Sequence, residues 1–101
     1  GGSVIISAVL QTILNIVDFG MSPMEAVSVP RIHSEGEFVH VEARVESSQI
    51  AVLESFGHKI KKSPYSFDPM MARCHVILKD KKNWKAGADP RSGGGVAFAR
   101  V

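Results

Sequence analysis

Between Ser3 and Gly20 the apolar residues Ile6, Leu10, Ile13, Leu14 and Val17 return at helical spacing, and Val9 and Ile16 widen their face. The spacing predicts an amphipathic helix with that face turned to a core. Gln11, Asn15 and Asp18 lie four and three residues apart, so they share one polar stripe that reads as the wet side, and Gly20 is placed to stop the helix in a left-handed conformation. Ser22-Pro23-Met24-Glu25 reads as a capping box with proline at the first helical position, opening a short helix that ends before Pro30. The two helices make an antiparallel or angled hairpin.

After Pro30 the pattern changes period. Arg31-Ile32-His33 reads as extended, Glu35-Gly36 as a turn, and Phe38 to Val45 as a strand rich in β-branched residues. Ser47 or Ser48 is placed to cap a third helix through Ile50, Val52, Leu53 and Phe56, which Gly57 ends. His58 to Lys62 alternates around Ile60 as a short strand that Ser63-Pro64 breaks, and Met70 to Leu78 predicts another. Asp80-Lys81-Lys82-Asn83 then makes a turn, with Trp84 to Ala88 as the partner strand of a hairpin. No repeat and no linker divides residues 1–101, which read as a single α+β segment.

Composition narrows the function classes. With 101 residues, 45% of them hydrophobic, the chain supplies one modest core. The net charge of +2 is slight, and the lysines at Lys59, Lys61, Lys62 and at Lys79, Lys81, Lys82, Lys85 read as solvated turn flanks. A nucleic-acid surface would interleave aromatics with the charge, and only Tyr65, Phe67 and Trp84 lie nearby. Cys74 is the one cysteine, which rules out an intrachain disulfide and a zinc-type cysteine cluster. His33, His40, His58 and His75 lack a ligand spacing on one helix, so no metal site is expected. Cys74 and His75 are adjacent on a predicted strand and point to opposite faces, which reads as a buried inert thiol. No basic region precedes the N-terminal apolar run, and Gln11, Asn15 and Asp18 interrupt it, which argues against a signal peptide or membrane span.

The C-terminal stretch Gly87-Ala88-Asp89-Pro90-Arg91-Ser92-Gly93-Gly94-Gly95 carries more information. Pro90 fixes its own φ and pushes Asp89 toward an extended conformation, so Asp89 and Arg91 project to the same side of a rigid segment. Locally they read as a structural clamp where a strand leaves its sheet, followed by a flexible glycine exit.

The ordered set Gly1-Gly2-Ser3, Gln11, Asn15, Asp18, Gly20, Met21, Glu25-Ala26-Val27, Pro30-Arg31, His33, Val41-Glu42, Leu53, Gly57-His58 and Asp89-Pro90-Arg91 resembles the C-terminal part of the gamma-glutamyltranspeptidase family. The resemblance implies part of an N-terminal-nucleophile hydrolase αββα sandwich, with antiparallel strands and packed helices. It implies an enzyme in which a threonine exposed by self-cleavage attacks a γ-glutamyl amide such as that of glutathione, and the acyl group passes to water or to an amino acid or peptide. That threonine is expected upstream, so the segment alone should be inactive, its partner being the remainder of the enzyme. The substrate is a γ-glutamyl small molecule, with no cofactor, metal, nucleic acid or membrane. By resemblance Gly1 and Gly2 are the catalytic contribution, their backbone N–H groups forming the oxyanion hole at a helix N-terminus. Gly1-Gly2-Ser3 has a competing reading as a linker remnant left by cloning, which would put a free ammonium at Gly1.

Arg31 and Arg91 are expected to tie strand ends to neighbouring layers and not to bind a substrate carboxylate. The stretch Phe67 to His75 is bulkier and more basic than the family's small, Gly-rich approach to the next strand, which reads as an altered floor of a substrate pocket or, in preference, as repacking of a face. Two alternatives stay beside the transferase: a related acylase, and a non-catalytic binding or scaffold module of the same architecture. An isolated piece of a sandwich should self-associate, whereas an independent module should unfold as a monomer.

Overall fold

The fold, described by a computed structural model over residues 2–92, follows the predicted order of elements, with several boundaries moved. Helix α1 spans Ser3–Val17, and Gly20 follows at φ 65°. Helix α2 spans Pro23–Ser28 and opens on the expected capping box: Ser22 Oγ accepts from the Glu25 N–H while Glu25 Oε1 accepts from the Ser22 N–H, each at 3.3 Å. Strand β1 is Ile32–Ser34 and β2 is Phe38–Val41, paired antiparallel so that His33 faces His40.

Strand β2 ends four residues before the predicted Val45. Glu42 turns inward and a tight turn closes behind it, with the Val45 N–H donating to the Glu42 carbonyl at 3.1 Å. Helix α3, Ser47–Ser55, is capped by Glu46 instead of either serine, and Gln49 Oε1 accepts the Glu46 N–H at 3.3 Å. The chain returns as β3, Lys59–Lys62, which lies parallel to β2 because α3 carries it back to the starting edge. The three-stranded sheet is thus ordered β1-β2-β3.

The strand predicted from Met70 is shorter than expected. Pro69–Met71 form a 3-10 turn capped by Asp68, whose Oδ1 accepts the Met70 N–H at 2.9 Å, and Ala72 takes φ 63°. Only then does β4, Val76–Asp80, begin, pairing antiparallel with β5, Asn83–Gly87, as a separate hairpin. Gly87 lies flat against α2: a Cβ there would sit 2.5 Å from the Pro23 carbonyl oxygen.

The core is two small clusters. Ala8, Val27 and Cys74 meet between α1, α2 and the chain entering β4, with Ala72 and Val76 beside them. Val39, Val41 and Val45 pack with Ile50, Leu53 and Ile60 under α3.

The orientation of α1 reverses the sequence expectation. Its predicted core face is turned outward: Ile6 is 71% exposed and Val17 73%, and Val9, Leu10, Ile13 and Leu14 are exposed with them. The supposed wet stripe makes the contacts. Gln11 Nε2 donates to the Ile32 carbonyl at 2.7 Å and Gln11 Oε1 accepts the Ile32 N–H at 3.1 Å, so one side-chain amide completes the outer edge of β1 as a neighbouring strand would. Asn15 Nδ2 donates to the Ala26 carbonyl of α2 at 3.2 Å. Asp18 alone of the three stays in solvent.

Candidate functional site

Gly2 sets the geometry of the α1 N-terminus. It caps the helix at φ 62° and ψ −131°, a combination that glycine adopts without the penalty a Cβ incurs, and no side chain closes the cap. The first N–H groups of a helix have no intrahelical acceptor and carry the positive end of its dipole, so such an end suits developing negative charge. Gly1 lies outside the described residues. The helix itself, Ser3–Val17, contains no charged residue.

Beside this end runs a chain of polar side chains. Ser7 Oγ is 2.8 Å from His33 Nδ1, and His33 Nε2 is 3.0 Å from Glu35 Oε1. The same carboxylate oxygen accepts from Ser3 Oγ. The Ser3 hydroxyl, and after it His33, hold the Glu35 carboxyl below its ordinary pKa.

A second group of charges is entirely internal. Glu42 and Asp89 are fully buried, and Arg31 and Arg91 are nearly so. Arg91 uses all five guanidinium N–H groups. Nε donates to Glu42 Oε2 at 2.7 Å, and Nη1 donates to the Val27 carbonyl at 2.7 Å and to Asp89 Oδ1 at 3.1 Å. Nη2 donates to the Val29 carbonyl at 3.1 Å and to Glu42 Oε1. The two carbonyls lie at the C-terminal end of α2, where acceptors lack intrahelical partners and a cation is favoured.

Glu42 also accepts the Arg31 N–H at 2.8 Å and the Asp68 N–H at 2.7 Å. Asp89 accepts the N–H groups of Cys74 at 2.7 Å and Arg91 at 2.9 Å, and its Oδ2 lies 2.7 Å from Arg31 Nη1. Burial pushes the Asp89 pKa up, but these N–H donors and Arg31 outweigh it and leave the carboxyl below its ordinary value. For Arg91 burial pulls down, and Glu42 and then Asp89 more than restore it. Among the described residues Arg31 Nε and Nη2 have no acceptor.

Arg31 and Arg91 are therefore bound to carboxylates within the segment, in the structural role expected of them, and Asp89 and Arg91 do form a clamp. Glu42 had no assigned role in the sequence, although it joins the first 50 residues to the last. Cys74 is buried and His75 exposed, although both precede β4, so the local turn and not strand alternation sets their directions. The bulky approach to β4 is divided: Met71 is buried, Asp68 bonds Glu42 and Phe67 lies under the Arg44 guanidinium at 4.0 Å, while Phe67, Pro69 and Met70 also line an open pocket beside Tyr65. The chain's one threonine, Thr12, is inside α1 and donates to the Ala8 carbonyl at 2.8 Å, so it is no candidate nucleophile.

The glycine-led helix and layered α+β arrangement define a portion of an N-terminal-nucleophile hydrolase sandwich. Superposition on the crystal structure of cephalosporin acylase from Bacillus halodurans gives a TM-score of 0.83 with 28% identity, covering 93% of this chain and 18% of that one. The sequence profile of the family described as gamma-glutamyltranspeptidase matches residues 1–99, Gly1 and Gly2 included, and the chain belongs to that family. An acylase ACY 1 proenzyme of Pseudomonas sp. (strain V22) is 38% identical over 94% of the chain, and a glutathione hydrolase proenzyme of Pseudomonas sp. (strain A14) is 45% identical over 58%. The chain spans 18% and 11% of those two relatives.

Proposed function

We propose that the chain is the C-terminal portion of an enzyme that cleaves γ-glutamyl amides and passes the γ-glutamyl group to water or to an amine. In this reading the nucleophilic threonine and the groups that bind the substrate carboxylate come from the upstream polypeptide. This segment contributes the N-terminus of α1, where Gly1 and Gly2 present N–H groups to the carbonyl as its oxygen becomes an anion. The observation that carries the reading is the backbone of Gly2, uncapped at positive φ on the first turn of a 15-residue helix. The exposed apolar face of α1 favours a piece of a larger sandwich over an independent scaffold module.

A γ-glutamyl anilide assay tests it. The isolated segment should give no turnover, the full-length enzyme should turn over, and Gly2→Pro in the full-length enzyme, which removes that backbone N–H, should lower kcat by about 10²- to 10³-fold, the usual effect of losing one oxyanion donor. Turnover by the segment alone would falsify the division of labour. The second reading, a side-chain acylase of other small amides, is favoured by the acylase relative matched over 94% of the chain. A panel of γ-glutamyl and non-γ-glutamyl amides given to the full-length enzyme separates the two.

A further inference from the structure

Ser3 and Ser7 are four residues apart and lie one above the other on α1. Both reach the chain that leaves β1: Ser7 bonds the His33 imidazole, His33 bonds the Glu35 carboxylate, and Ser3 bonds the same carboxylate. The donor and acceptor directions agree for a neutral imidazole. Nε2–H donates to Glu35, leaving Nδ1 to accept the Ser7 hydroxyl. His33 is buried at 7% exposure, so one end of this run is fixed in the protein, while Glu35 and Ser3 are exposed beside Gly2.

Serine, histidine and carboxylate in sequence are the parts of a nucleophilic triad. Ser7 is nonetheless in the middle of a helix, where the surrounding N–H groups are committed to intrahelical bonds and cannot receive an oxyanion next to its Oγ. What the run does hold is the helix end. Gly2 has no side chain, its cap receives no side-chain hydrogen bond, and its conformation is one that an unanchored glycine leaves easily. The nearest anchor is one residue away, at Ser3.

We propose that Ser3, Ser7, His33 and Glu35 are positioning residues for acyl transfer, clamping the first turn of α1 so that the Gly2 N–H stays aimed at the reacting carbonyl. The inference rests on the reading of Gly2 as an oxyanion donor. An aimed donor matters because a displacement of about 1 Å costs on the order of 10²-fold in rate. The effect falls on the transition state, where the oxygen is charged, and not on ground-state binding.

The test uses the full-length enzyme and γ-glutamyl anilide. Ser3→Ala and Glu35→Ala should each lower kcat about tenfold, a partial loss of the oxyanion term, with KM essentially unchanged. Glu35→Gln retains an acceptor oxygen and should recover most of the rate, and the double variant Ser3→Ala/Glu35→Ala should be no slower than either single one, because both cut the same link. Both residues are exposed, so melting temperatures should stay close to that of the parent and exclude unfolding as the cause. Undiminished kcat in Ser3→Ala and Glu35→Ala, while Gly2→Pro is slow, would overturn the clamp and leave the oxyanion reading standing. Undiminished kcat in Gly2→Pro, which has no N–H at that position, would overturn the oxyanion reading itself.

Discussion

At the scale of single residues the dominant fact is that Arg91 has five N–H donors and five acceptors, all inside the protein. A lysine carries the same charge but has three donors and no planar fork, so it cannot span Glu42, Asp89 and two carbonyls together. Arg91→Lys and Glu42→Gln in the full-length enzyme should each destabilise by about 3–5 kcal/mol, the cost of leaving part of a buried pair uncompensated, measured by denaturant unfolding. Asp89 gives a dependence on pH. Its carboxyl is held below its ordinary value when folded and returns to about 3.9 when unfolded, so its contribution is complete above that value. The contribution is lost as pH falls through the folded pKa. The Asp89 share of the melting temperature should therefore hold from neutral pH to about pH 5 and fall below it, and Asp89→Asn, starting lower, should fall less steeply over that acid range.

At the scale of elements, Gly87 fixes how β5 meets α2. A methyl group there would press on the Pro23 carbonyl and the Met24 nitrogen, which are backbone and cannot swing aside. Gly87→Ala should cost about 1–3 kcal/mol by overpacking, read as a lowered denaturation midpoint. Such a contact has no signature in the sequence. The helices were legible because Ser22, Pro23, Glu25, Gly20 and Gly57 act within a few residues of themselves. Periodicity located both faces of α1 correctly but not their neighbours: Gln11 and Asn15 look solvent-bound until β1 and α2 are brought beside them. Strand β2 ends early where Glu42 turns inward to meet Arg91, 49 residues on, and β4 starts late because Pro69–Met71 form a 3-10 turn and Ala72 takes φ 63°. Gly2, at the α1 N-terminus, was singled out by resemblance. The Ser3–Glu35–His33–Ser7 run was not, because it needs the chain to return beside α1.

At the scale of the whole molecule, residues 2–92 have a polar, charge-paired interior and leave an apolar helix face outside. Ile6, Val9, Leu10, Ile13, Leu14 and Val17 on that face are more than a lone domain ordinarily exposes. Sedimentation of the isolated segment should show association that rises with concentration, and Ile6→Glu/Ile13→Glu should abolish it; a monomer without those changes would count against the face needing a cover. The long reach of Arg91 has a consequence for biosynthesis. On a ribosome Glu42 emerges well before Arg91, and at ordinary elongation rates the delay is roughly 2–10 s, long compared with helix and hairpin formation. Throughout that interval the carboxylate of Glu42 has no Arg91 counter-ion, and the carbonyls closing α2 have no donor from it. The segment cannot lock early on a partial length of chain; its interior is sealed only when Asp-Pro-Arg arrives, so a nascent chain truncated before residue 91 is left open to proteolysis.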